Sequence, residues 1–98
     1  MEAIACFDHI LQVDQSDETV WYNRGVSLSA VGRHEEAVQS YSEALKLDEN
    51  NPSTWYNKGL ELQVLGRHHE AFVCFQRAAN LGHEKAQHGI TECFKFVR

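Results

Sequence analysis

The phrase Trp21-Tyr22-Asn23-Arg24-Gly25 returns as Trp55-Tyr56-Asn57-Lys58-Gly59, 34 residues further on. Laying residues 21–47 over 55–81 without a gap gives identity at 12 of 27 positions. The period reaches upstream as well: residues 2–7, 36–41 and 70–75 all begin Glu-Ala and end on an aromatic residue. A fixed period of this length marks a stack of small supersecondary units, none of which can bury its apolar face alone. That constraint dominates every other reading of a 98-residue chain.

Each unit reads as two helices. Trp21, Leu28 and Val31 fall on one helical face, as do Trp55, Leu62 and Leu65. Ala37, Val38, Tyr41, Ala44 and Leu45 form the stripe of the following helix, and Ala71, Phe72, Phe75, Ala78 and Ala79 form its copy. Gly32 and Gly66 end the first run of each unit and read as helix-terminating turns. Asp17 and Asn51 are placed to cap helices, and Pro52 suits a first helical turn. No stretch alternates with period two. The expectation is an all-α chain of about six antiparallel helices, roughly 1–12, 18–31, 34–47, 52–65, 68–80 and 84–96.

These residues resemble the tetratricopeptide repeat, or TPR, a helix–turn–helix with a Trp-led first helix and an Ala-x-x-x-aromatic second helix. The signature positions here are Trp21, Gly25, Ala37, Tyr41 and Ala44, then Trp55, Gly59, Ala71, Phe75 and Ala78. Ala3 and Phe7 match the second helix once more. Arg24 and Lys58 depart from the family, which usually has Leu there. Leu28 and Leu62 stand where it has Tyr, and Glu49 where it has Pro. The stretch 78–90 is similar to Sel1-like relatives of TPR, with Leu81-Gly82-His83 followed by Ala86-Gln87, and Gly89 in the place of Trp.

The resemblance implies a single α/α solenoid over 1–98 that winds as a right-handed superhelix. It divides into a half-repeat at 1–17, repeats at 18–51 and 52–85, and a C-terminal helix at 86–98 that either caps the stack or begins a further repeat. It also implies that Gly25 faces Ala37, that Gly59 faces Ala71, and that the two tryptophans fill the remaining gap. First helices of such a solenoid line a concave groove. The peptide-binding candidates are Tyr22, Asn23, Val26, Tyr56, Asn57, Leu60 and Gln63, with Thr19, Ser29, Ala30, Ser53 and Val64 around them and Gln87, Ile90 and Thr91 beyond. An Asn amide offers a donor and an acceptor to a peptide backbone, and Tyr offers a rigid face with a polar tip. The same Tyr and Asn are common in the family, so a structural role stands beside the binding one. A chaperone-type carboxylate clamp needs Lys and Arg in the groove, and the corresponding places here are neutral.

Composition narrows the function classes. A net charge of −5 argues against nucleic acid and against an anionic membrane surface. Cys6, Cys74 and Cys93 are odd in number and widely spaced, which fits reduced thiols in a cytoplasmic protein. His34 and His68 are repeat equivalents at hairpin turns, too far apart to share a metal ion. Glu35–Glu36 and Asp48–Glu49 read as solvated faces. No phosphate loop or nucleophile elbow occurs. No metal, no cofactor and no catalytic residue is therefore expected.

The expected function is non-catalytic binding of a partner's peptide or helix in the concave groove. The alternatives are self-assembly through incomplete terminal repeats, or service as an accessory module of a larger enzyme. Ile4, Phe7 and Ile10 at one end, and Ile90, Phe94 and Val97 at the other, are expected to leave apolar surface uncovered. Sedimentation velocity over about a hundredfold concentration range is then expected to show concentration-dependent self-association. A strict monomer throughout would remove that reading.

Overall fold

The computed structural model describes residues 2–95. Met1 and residues 96–98, with the Val97 of the expected apolar end, lie outside the described residues. Six helices follow one another: α1 Glu2–Val13, α2 Glu18–Ala30, α3 His34–Leu47, α4 Pro52–Val64, α5 His68–Asn80 and α6 Ala86–Cys93. No strand occurs among the described residues. Neighbours in sequence pack as neighbours in space, and the described chain spans 43 × 25 × 17 Å. That shape is a stack grown along one direction.

The turns are built as the sequence indicates. Asp17 accepts from the Thr19 N–H at 2.9 Å, and Asn51 accepts from Ser53 at 3.0 Å. Gly32 and Gly66 have φ of 82° and 77°, the left-handed conformation a side chain resists. That conformation lets the Arg33 N–H reach Leu28 O and the Arg67 N–H reach Leu62 O, each at 2.9 Å, closing the last helical turn. The sixth helix is shorter than expected. A turn at 81–85, in which His83 Nδ1 accepts from the Lys85 N–H at 3.2 Å, delays its start to Ala86.

Two apolar clusters run through the stack. One joins Ile4, Leu28, Ala37 and Tyr41; the other joins Val38, Leu62, Ala71, Cys74, Phe75, Ile90 and Cys93. Val38 belongs to the first hairpin yet packs in the second cluster, so the two are bridged. The helical stripes hold, with two corrections. Val31 is the C-terminal cap of α2 and is exposed, because the chain already turns away there. Ile4 and Ile90 are buried, so the uncovered apolar surface at the two ends reduces to residues such as Ile10, Val13 and Phe94.

Beside the alanines that the family resemblance implied, each hairpin glycine meets an aromatic ring. A Cβ on Gly25 would lie 2.6 Å from the Tyr41 ring, and one on Gly59 would lie 2.7 Å from the Phe75 ring. The opposing small residues Ala37 and Ala71 are themselves fully buried, but the nearest atoms are aromatic. The tryptophans are only half-buried. Each instead pins the turn before it: Trp21 Nε1 donates to Gln15 O at 3.1 Å, and Trp55 Nε1 donates to Glu49 O at 2.8 Å.

Phe75 is fully buried and cannot swing aside. Gly59→Ala is therefore expected to lower the unfolding free energy by about 1–3 kcal/mol through overpacking, despite the better helix propensity of alanine. Phe75→Leu in the same chain should recover part of that loss. Urea unfolding of the two single variants and the double variant measures both.

Candidate functional site

Helices α2 and α4 lie side by side on one face of the stack, joined directly by side chains. Asn57 Nδ2 donates to the Tyr22 hydroxyl at 2.9 Å, and Ser29 Oγ donates to Glu61 Oε2 at 2.7 Å. The repeated Tyr-Asn pair thus links consecutive repeats, with the Tyr of the first bonded to the Asn of the second. Asn57 also meets the Tyr41 hydroxyl. Burial, together with the nearby Glu61 charge and Tyr22, pushes the ionisation of Tyr41 far above its ordinary value. It stays neutral inside this seam, its hydroxyl oxygen accepting from the Asn57 amide.

Glu61 is the residue that sequence reasoning missed. It is 6% exposed, and its second oxygen takes His34 Nδ1 at 2.6 Å. A carboxylate so placed must be satisfied on both oxygens, and Ser29 and His34 do so from the preceding repeat. His34 begins α3 directly after the Gly32 turn, the partly exposed hairpin position that the sequence indicates, and there it is also the half-buried end of an inter-repeat latch. One signal existed: Glu61 is the sole charge between Gly59 and Gly66, while the matching run from Gly25 to Gly32 has none.

The groove candidates fall into two groups. Thr19, Asn23, Val26, Ala30, Val64, Gln87 and Thr91 are exposed; Tyr22, Ser29, Ser53, Tyr56, Asn57, Leu60 and Gln63 are half-buried. Ile90 is turned into the core. Tyr22 leans on Tyr41 at 5.8 Å between ring centres, and Tyr56 on Phe75 at 5.7 Å. Tyr56 stacks on His83 at 4.2 Å with 15° between planes, so the turn before α6 meets the second repeat there. Leu60 packs against the core cluster.

The named surface residues include no Lys or Arg. Arg24 is drawn elsewhere, donating to Asp8 and to Ser40, and Lys58 lies 5.8 Å over the Trp55 ring. The face therefore offers exposed valine, amide groups and tyrosine edges without a charge clamp. Among the described residues, no three His, Cys, Asp or Glu side chains come together in a way that could hold a metal ion. Burial pushes the Cys74 thiol up to about 11 and raises that of Cys93, which makes both poor nucleophiles. Among the described residues, no helix is long and apolar enough to cross a membrane.

Comparison with known proteins follows the same lines. Tetratricopeptide repeat family models match residues 19–51 and 52–81. No curated protein matches the chain significantly. Among solved structures, MamA superposes with a TM-score of 0.91 at 16% identity, covering 94% of this chain and 55% of its own. The chain thus spans about half the length of MamA. The second TPR domain of human RPAP3, solved with the HSP70 peptide SGPTIEEVD, superposes at 0.87 with 22% identity, covering 93% and 78%. The Yersinia enterocolitica secretion chaperone SycD, solved with a peptide of the translocator YopD, superposes at 0.88 with 19% identity, covering 96% and 79%. At these identities the likeness is one of fold.

Removing Glu61 leaves Ser29 and His34 facing a gap. Glu61→Ala is expected to lower stability by about 2–4 kcal/mol. A double-mutant cycle with His34→Ala should give a coupling of about 0.5–3 kcal/mol. Urea titration of the four proteins supplies both quantities; additive losses would show that the pair is not a latch.

Proposed function

Because the chain belongs to the tetratricopeptide repeat family, we propose that it is a non-catalytic protein-interaction module whose α2–α4 face takes an extended peptide or a helix of a partner protein. The observation that carries this is the exposure of Val26 and Val64, 42% and 64%, beside Asn23, Gln63 and two tyrosines, with the Glu61 carboxylate sealed beneath by Ser29 and His34. Apolar anchors beside amide groups suit a bound backbone with apolar side chains. RPAP3 and SycD, similar in fold, were both solved with peptides of other proteins, which supports the class of function.

The chemistry of the face also bears on the partner. The RPAP3 peptide ends in Glu-Glu-Val-Asp. Nothing cationic stands among the α2–α4 face residues named here to receive such a terminus, so this face prefers a neutral segment with apolar anchors. Tyr22 and Asn57 hold each other, and Leu60 supports the core, so they shape the groove from beneath. Asn23, Val26 and Gln63 make the first contacts. The C-terminal segment, whose stretch 78–90 resembles Sel1-like repeats, extends the surface through Gln87 and Thr91, with Gly89 lying against Phe75 where the earlier repeats place Trp.

A second reading rests on Ile10, Val13 and Phe94, exposed at opposite ends of the stack. It is self-association through those ends, to which the sedimentation series speaks.

Selection of peptides from a random library on the immobilised chain tests the main proposal. Selected peptides should carry apolar anchors, and Val26→Arg should weaken them by about tenfold or more. Val26 is exposed, so the variant should keep its helical circular dichroism and its urea midpoint. Peptides that bind the variant equally well would place binding elsewhere.

A further inference from the structure

Beyond the α2–α4 face, a cleft of about 620 Å³ opens between α1, α2 and α3. It falls within the ~300–1,000 Å³ of ordinary ligand sites. Trp21 and Arg24 reach it from α2, Asp8 and Leu11 from α1, and Gln39 and Glu43 from α3. At 100° per residue, Trp21 and Arg24 stand on the opposite side of α2 from Val26 and Ala30. The proposed peptide groove and this cleft are separate surfaces.

The repeat supplies an internal template for what the cleft accepts. Adding 34 to the lining residues gives the corresponding places in the next repeat: Trp55 for Trp21, Lys58 for Arg24, Ser42 for Asp8, Val73 for Gln39 and Arg77 for Glu43, with Leu45, Lys46 and Glu49 for Leu11, Gln12 and Gln15. There the Arg77 guanidinium lies 5.3 Å from the centre of the Trp55 ring, and Lys58 lies 5.8 Å from it. The indole is covered by cations that the repeat itself provides, an attraction between positive charge and the ring face.

In the first repeat that arrangement is inverted. Glu43 stands where Arg77 would be, and no lysine or arginine among the described residues stacks on the Trp21 ring. Arg24, the counterpart of Lys58, is held by Asp8 and Ser40. The cleft therefore has an indole, two carboxylates, the Arg24 guanidinium tied to one of them, and an open volume, and it lacks a counterpart of the Arg77 guanidinium that covers Trp55. Asp8 is about half exposed, with one oxygen committed to Arg24. Glu43 meets Lys46 at 3.1 Å in an exposed pair, the kind that exchanges readily for a better partner.

We propose that this cleft is a binding site for an arginine side chain presented by a different protein, its guanidinium stacked on Trp21 and paired with Glu43. Arg77 over Trp55 is the geometry the ligand reproduces. The planar guanidinium suits both contacts, a ring face and a carboxylate, better than an ammonium does. The chain's net charge of −5 favours the approach of a basic segment.

The test uses a capped Gly-Arg-Arg-Gly peptide and its citrulline counterpart, which keeps the shape and loses the charge. The two indole N–H signals of the ¹⁵N-labelled chain are followed by NMR. Trp21 is expected to shift saturably and Trp55 to stay, with the citrulline peptide weaker by about tenfold or more. Glu43→Arg, which installs the residue of the next repeat, should remove the Trp21 response by a similar factor; Glu43→Gln, a milder change at an exposed position, should weaken it about threefold. A silent Trp21 at millimolar peptide, equal shifts at both indoles, equal binding of citrulline, or an unaffected Glu43→Arg that keeps its circular dichroism would each overturn the proposal. A Trp21 signal that moves with protein concentration alone would assign the cleft to a second copy of the chain, and would equally overturn it.

Discussion

The ring of Phe75 occupies the space that a side chain on Gly59 or on Gly89 would need. Tyr41 does the same to Gly25. Close approach of an aromatic ring to bare backbone sets how near the helices of a hairpin lie, and in the second repeat it also sets how near α6 comes. Once those distances are fixed, Leu28, Leu62 and the buried alanines have only one way to fill the space left. The interdigitated core is a consequence of that spacing, and the surface on α2 and α4 inherits its shape from it.

Stacking two hairpins also requires their polar groups to agree. Two hydrogen-bonded groups, Tyr22–Asn57–Tyr41 and Ser29–Glu61–His34, form the seam between repeats, and Glu61 is the most demanding member because a buried carboxylate tolerates no missing partner. Such a seam fixes the relative position of α2 and α4 more tightly than apolar contact alone, which slides at small cost. It also divides labour on the face above it. Residues bonded within the seam are fixed by it, while Asn23, Val26 and Val64 remain exposed.

The two repeats share a backbone plan and differ in charge. Trp21 and Trp55 make the same indole hydrogen bond to the residue six positions earlier. Around them, Glu43 is the repeat equivalent of Arg77 and Asp8 of Ser42, so one equivalent place reverses its charge and another loses it. A repeat constrains what its signature residues do and leaves the intervening positions free to diverge.

Much of the architecture was legible in the sequence because it depends on local rules: the period of 34, the apolar stripes, the caps at Asp17 and Asn51, and the turn glycines all act within a few residues of chain. The candidate face was legible only as a set of positions. Which residues meet across the stack was not, since Tyr22 and Asn57 are 35 apart and Ser29 and Glu61 are 32 apart. The family pattern suggested alanine opposite Gly25, and only the packed hairpin showed how closely the Tyr41 ring also approaches it. Sequence alone determined that this chain is a stack of helical hairpins, because periodicity and turn chemistry are carried by neighbours in the chain. Tertiary structure decided which polar groups are sealed between repeats and which stay open, because burial is a property of the stack and no single residue carries it.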